Sequence, residues 1–226
     1  MVTQKSRAMP CREGKFFSDD LLNAAAVAVE RGDVEALSEL VNAGLNINAQ
    51  GKRGFNLLYW ALRSNEEKSF QTLLQLGADP DLLWTSGISV TYLAARNDNS
   101  RYLALALEYG ANPNGKNTKK MDTPIHSAMS AKNLNTSKLL IDKGADINFQ
   151  NKLGNTPIMN ASALRYYDFV DLLIQSGADH CIKNRGNKTL FDRLERDQKL
   201  MDKSSSDYQI VLKLLDKLPK CAGKNE

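Results

Sequence analysis

One short phrase keeps returning along this chain. Ala43 to Asn48 reads Ala-Gly-Leu-Asn-Ile-Asn, and the pattern recurs as Gly-Ala-Asp-Pro-Asp from Gly77, Gly-Ala-Asn-Pro-Asn from Gly110, Gly-Ala-Asp-Ile-Asn from Gly144 and Gly-Ala-Asp-His from Gly177. The glycines stand at 44, 77, 110, 144 and 177, steps of 33, 33, 34 and 33. A fixed period of that size predicts stacked supersecondary units rather than one globular core. Such arrays expose an extended surface suited to gripping another molecule.

Upstream of each glycine lies an apolar run at helical spacing, such as Phe70, Leu73 and Leu74, or Val170, Leu172, Leu173 and Ile174. Each run predicts a helix, and the glycine stops it by supplying a left-handed cap at little cost. A second marker, Thr123-Pro124-Ile125-His126-Ser127-Ala128, returns as Thr156-Pro157-Ile158-Met159-Asn160-Ala161, with weaker copies from Asn56 and Ser89. Threonine before proline predicts a helix start, because the hydroxyl can accept an orphan backbone N–H while proline gives up a donor that had no partner. The alanines of this marker, Ala61, Ala94, Ala128 and Ala161, repeat at 33, 34 and 33, and a small residue there lets helices approach closely.

These residues resemble the ankyrin repeat: a Thr-Pro-Leu-His-x-Ala helix start, an antiparallel second helix, a Gly-Ala-Asp turn and a projecting hairpin finger. The resemblance covers residues 18 to 218 and implies an all-α solenoid, one elongated curved array of six repeats. The repeats fall at about 18–50, 51–84, 85–117, 118–151, 152–184 and 185–218, between a flexible extension at 1–17 and a tail at 219–226. The first repeat has an alanine-rich helix, Leu21 to Val29, and the last has charged helices. Polar, atypical ends are what caps of a solenoid require.

Lys plus Arg of 30 against Asp plus Glu of 26 gives +4, a mild excess that implies neither nucleic acid nor membrane. No apolar segment approaches the roughly 18 residues of a membrane span. The first seventeen residues hold no hydrophobic stretch and so do not form a secretory signal, although a mature chain that begins after a removed leader would read the same way. Cys11, Cys181 and Cys221 are an odd number at wide spacing with no zinc pattern. They are three incidental thiols, or Cys181 and Cys221 form a bridge, which needs Cα atoms within about 7 Å.

Catalytic chemistry finds no footing. His126 falls in the Thr-Pro-x-His slot, where the resemblance implies a structural hydrogen-bond network, and His180 follows Asp179 in a turn with no metal partners visible in the sequence. Asp79, Asp146 and Asp179 are turn residues by their period, with side chains expected to bond nearby amides. No nucleophile elbow or phosphate-cradling loop occurs, so no enzyme and no cofactor is expected.

Information about a partner should lie where the chain departs from its own pattern. The resemblance places contacts on the concave face, at finger tips and exposed first-helix positions. Four of the five tips are basic and none carries an acid, so Lys52, Arg53, Lys116, Lys119, Lys120, Lys152, Lys183 and Arg185 are expected to form one positive stripe that steers acidic partners. Phe55 and Leu153 share those tips. Leu82, Leu83 and Trp84 put large apolar side chains at the second tip, and an exposed tryptophan in polar surroundings is a typical binding anchor. Tyr59, Trp60, Arg63, Tyr92, Arg96, Tyr166 and Tyr167 are read as first-helix positions shared between core and contact, with Arg63 and Arg96 the firmest contact candidates.

The run from Phe16 to Leu62, with Arg31-Gly32-Asp33-Val34 and Gly54-Phe55-Asn56-Leu57-Leu58-Tyr59-Trp60-Ala61-Leu62, resembles small bacterial ankyrin proteins encoded beside type VI secretion lipase effectors. That resemblance implies an immunity protein, monomeric when free, that binds and inhibits a cognate phospholipase toxin, commonly in the periplasm. The alternatives are a scaffold, adaptor or secreted effector that binds a different protein, in the cytoplasm for example. More remote is binding of nucleic acid or anionic lipid, which few aromatics among the lysines support.

Overall fold

The computed structural model describes residues 17 and 19–221, all helix, turn and loop with no strand among them. The helices are α1 (Asp20–Arg31), α2 (Val34–Asn42), α3 (Leu57–Ser64), α4 (Glu67–Gln75), α5 (Val90–Ala94) and α6 (Arg101–Glu108), then α7 (Pro124–Ser130), α8 (Leu134–Asp142), α9 (Pro157–Ala163), α10 (Tyr167–Gln175), α11 (Leu190–Leu200) and α12 (Ser206–Lys217). They pair in sequence into six helical hairpins, as the period predicts. By packing the chain divides into two compact units, one ending at Thr118 and the other beginning at Lys119.

In the first unit α1 packs on α3 and α3 on α5, while α2 packs on α4 and α4 on α6, giving a layer of first helices over a layer of second helices. The second unit repeats the arrangement, with α7 on α9 and α9 on α11, and α8 on α10. Ala61, Ala94, Ala128 and Ala161 have no exposed surface, which is the close approach their size allows. Around them Leu57, Leu58, Phe70, Leu73, Tyr102 and Leu103 fill the first core, and Ile125, Leu140, Ile158, Val170, Leu190 and Val211 the second.

The five repeating glycines, Gly44, Gly77, Gly110, Gly144 and Gly177, all lie at positive φ just past a second helix. Behind them the turn acids behave as their period predicts: Asp79, Asp146 and Asp179 each accept the amide two residues on, at 2.8, 2.9 and 2.8 Å. Asn48 Oδ1 accepts from Asp79 N at 2.7 Å and Asn148 Oδ1 from Asp179 N at 2.8 Å, so consecutive turns are tied together.

Helix starts differ from the expectation at one point. Asn56 and Ser89 cap α3 and α5 through the amides of Tyr59 and Tyr92. The Thr156 hydroxyl is buried and makes no cap bond. In the previous repeat the Thr123 hydroxyl lies 2.9 Å from His126 Nδ1; Met159 at the matching place in α9 offers Thr156 no such partner.

Between helical pairs the chain makes compact fingers, each closed on itself by a backbone bond: Trp84 N to Ile88 O at 2.9 Å, Asn151 N to Asn155 O at 3.0 Å, Asn184 N to Lys188 O at 2.9 Å. Neighbouring fingers are bonded too, through Lys152 N to Lys120 O at 2.9 Å and Arg185 N to Leu153 O at 3.2 Å in the second unit. Gly154 makes that stacking possible: its φ is +75°, and a Cβ there would sit 2.6 Å from the Arg185 amide nitrogen.

The last repeat has the exposed character of a cap. The buried residues of α11 are Leu190 and Leu194 and those of α12 are Val211 and Leu214, with the remaining positions facing water at least in part. Beyond α12 the tail is fastened, because Cys221 is bridged to Cys181 with Cα atoms 5.4 Å apart. Of the two readings of these thiols, the bridge is the one the structure contains. Cys11 and the rest of the extension to residue 16 lie outside the described residues.

Candidate partner-binding surface

In the second unit, fingers and first helices enclose a groove of about 460 Å³. Lys119, Lys120 and Asp122 come from one finger and Asn151, Lys152 and Leu153 from the next; Met129 and Ser130 come from α7, Asn160 and Ala163 from α9, and Leu164 follows α9. Finger-to-finger bonding places the three lysines side by side along one rim. Leu153 and Leu164 keep 66% and 48% of their surface exposed, unusual for leucine, and both belong to this groove. Asp122, the acid among the lining residues, is engaged by Asn151 Nδ2 at 3.0 Å. The result is an apolar cleft with a cationic edge.

A second groove of about 340 Å³ follows one repeat on, lined by Asn155, Met159, Ala163, Asn184, Lys188, Thr189, Asp192, Arg193 and Arg196. Its charges are mixed. Asp192 accepts from the Thr189 backbone and hydroxyl at 2.8 and 2.9 Å, and those two bonds hold its carboxyl below the usual range. Lys183 and Arg185 are exposed on the finger above.

The first unit presents Lys52, Arg53, Arg63, Arg96 and Lys116 to water, as expected. Trp84 departs from expectation: it retains 7% of its surface and lies in an aromatic trio, edge-on to Phe55 and Tyr59 with centroids 4.9 and 4.6 Å away, while those two rings stack at 4.5 Å. The finger folds its largest side chain against Phe55 of the preceding finger and Tyr59 of α3, where apolar area is removed from water. Leu83, 43% exposed, is the residue of that tip left facing outward, while Leu82 is half-buried. Tyr92 and Trp60 are also buried, and Trp60 Nε1 donates to Glu30 Oε1 at 3.1 Å. These positions are core rather than contact.

Tyr166 and Tyr167 are not first-helix residues. Since α9 ends at Ala163, Tyr166 caps and Tyr167 begins α10. The Tyr166 ring lies in a separate hollow with Arg165 and Asp207, under Lys132 Nζ at 4.6 Å, and is not among the lining residues of either groove.

Arg196, Leu164 and Met129 line grooves without having been expected there. Arg196 had a signal: positions 63, 96, 130, 163 and 196 continue one register, which begins with Arg63 and Arg96. Leu164 and Met129 had none, because a leucine at a helix end looks like core until its exposure is known.

His126 is buried, accepts the Thr123 amide at 3.3 Å on Nδ1 and meets the Thr123 hydroxyl at 2.9 Å on the same atom. Burial lowers its pKa, offset in part by Asp122, the Asn155 backbone and Asp146. A neutral, enclosed imidazole holding a helix start in place has a structural role. Among the described residues no helix is long and apolar enough to cross a membrane.

Helical pairs, glycine turns and fingers together make the all-helical ankyrin-repeat fold. Residues 91–184 match the family model of ankyrin repeats, three copies. The crystal structure of EF0377, an ankyrin repeat protein, superposes with a TM-score of 0.74 at 24% identity, covering 88% of this chain and 98% of that one. Putative ankyrin repeat protein FPV024 of Fowlpox virus (strain NVSL) is 26% identical over 129 residues, 57% of this chain and 16% of its own length. Ankyrin repeat domain-containing protein 40 of Mus musculus is 35% identical over 74 residues, 32% of this chain and 19% of its own. The chain thus spans less than one fifth of these curated relatives. Ankyrin repeats indicate a protein-binding module.

Proposed function

We propose that this chain is a non-enzymatic binding protein that inhibits a cognate bacterial toxin, a phospholipase delivered by type VI secretion, by covering its surface. The groove edged by Lys119, Lys120 and Lys152 and floored by Leu153 and Leu164 carries the binding reading. The identity of the partner rests on the resemblance of the Phe16–Leu62 stretch to immunity proteins. Inhibition then needs no chemistry: apolar anchors supply the slow dissociation and the lysines raise the association rate. The Cys181–Cys221 bridge suits an oxidising compartment and supports a periplasmic home.

The test is binding kinetics against the purified lipase effector, joined to a survival assay in toxin-exposed cells. Lys119→Glu with Lys120→Glu slows association in a salt-dependent way, and Leu153→Ala with Leu164→Ala speeds dissociation. Each variant lowers protection. An effector that ignores the wild-type chain removes the toxin assignment, whereas binding that neither pair of substitutions alters removes the groove.

A further inference from the structure

Away from both grooves, three metal-ligating side chains meet where the tail returns to the turn after α10. His180 and Cys181 are neighbours in that turn and Cys221 follows α12; their donor atoms all lie within 4.8 Å of one another, and all three residues are half-buried. The turn is held in place, since Asp179 accepts the Cys181 amide at 2.8 Å and donates its own to Asn148 at 2.8 Å. His180 Nε2 lies 3.0 Å from the Pro219 carbonyl. A carbonyl only accepts, so Nε2 carries a proton, and the tautomer this selects in the neutral ring has its lone pair on Nδ1. Metal-bound histidines have their tautomer set by this kind of bond.

We propose that reduction of the Cys181–Cys221 bridge converts this corner into a zinc-binding site made of two thiolates and the His180 imidazole. A dithiol reductant gives two electrons and two protons to the Sγ–Sγ bond, leaving two thiols and becoming a disulfide itself. Zn²⁺ then displaces both thiol protons to solvent and takes the neutral imidazole as third ligand, with water in the fourth place. A tetrahedral site with Zn–S of about 2.3 Å and Zn–N of about 2.0 Å needs donors roughly 3.5 to 3.8 Å apart. Once the Sγ–Sγ bond is broken the sulfurs open from bonding distance toward that spacing, and the three donors already lie within 4.8 Å of one another. Thiolate with imidazole selects zinc over magnesium or calcium. The tail is then held by a covalent bond under oxidising conditions and by a metal under reducing ones.

The experiment compares full-length oxidised protein with protein reduced by a phosphine, which leaves as its oxide, both kept under nitrogen and titrated with Co²⁺ and then Zn²⁺. The reduced chain is expected to take up one Co²⁺ with a thiolate-to-cobalt charge-transfer absorption that Zn²⁺ abolishes, while the oxidised chain shows none. Cys181→Ser and Cys221→Ser each remove the absorption, and His180→Ala weakens binding at least ~tenfold. Absence of the absorption in the reduced wild type overturns the proposal, as does a His180→Ala variant that binds equally well. Loss of helical circular dichroism on reduction overturns it too, because the ligands would no longer be gathered by the fold.

Discussion

Trp84 and His126 show how single side chains in this array are committed to structure. With the ring of Trp84 enclosed by Phe55 and Tyr59, Trp84→Ala should cost about 3–5 kcal/mol, read as a lower urea midpoint of the free protein. An unchanged midpoint would show that the aromatic trio does not form in solution. His126 gives a pH dependence of definite sign. Its folded pKa lies below the ordinary 6.5, so as pH falls past that value the unfolded chain binds a proton that the folded chain resists, and stability is lost. Urea midpoints at about pH 7.5 and about pH 5.5 should therefore diverge in the wild type and diverge less in His126→Gln. A variant with the wild-type pH response would place the titration elsewhere. Position 84 was legible as a finger from its period, but which way its ring turns depends on residues 55 and 59, far upstream in the chain, and no local pattern carries that.

Helix ends illustrate what the period could and could not reveal. Second helices stop at glycines, and the five glycines announced them. Three first helices, α3, α7 and α9, stop at left-handed residues of other kinds: Asn65, Lys132 and Arg165, with φ of 58°, 57° and 58°. Gly32 marks that register once, after α1; no glycine stands at the end of α9, so Tyr166 reads from the sequence as a first-helix residue and lies beyond that helix in the structure. At the finger the demand is stricter. Gly154→Ala combines positive φ with a clash against the next backbone and should cost about 1–3 kcal/mol, seen as a lower melting temperature. Asn187, also at positive φ of 56°, has no further finger beyond it among the described residues, and Asn187→Gly should leave the melting temperature nearly unchanged. Equal effects at the two sites would mean that finger stacking contributes nothing.

For the molecule as a whole, the bridge is the contact that spans the most chain at its C-terminal end, closing a loop with a sequence separation of 40. Chain-entropy reasoning assigns a loop of that length about 4 kcal/mol, so a reductant should lower the urea midpoint of transitions that report on α7–α12. Probes confined to α1–α6 should respond less, and an equal response throughout would contradict the division into two units. Fold class, six helical pairs and the basic finger tips could all be read from the sequence because each is periodic or compositional. The cluster of His180 with two sulfurs could not, since residues 180 and 221 are brought together only by the return of α12.

Gly154 and Asn187 also carry a lesson for anyone who wishes to lengthen this scaffold. A spare repeat grafted after residue 217 would set its loop against the Asn187 side chain, as the finger of Lys152 meets Met121, whereas a duplicate inserted ahead of residue 184 would inherit the bare backbone of Gly154. Growth is open to this architecture both by internal duplication and at its far end, because Met121, at φ of 59° in the matching slot, already carries a side chain beneath a bonded neighbour.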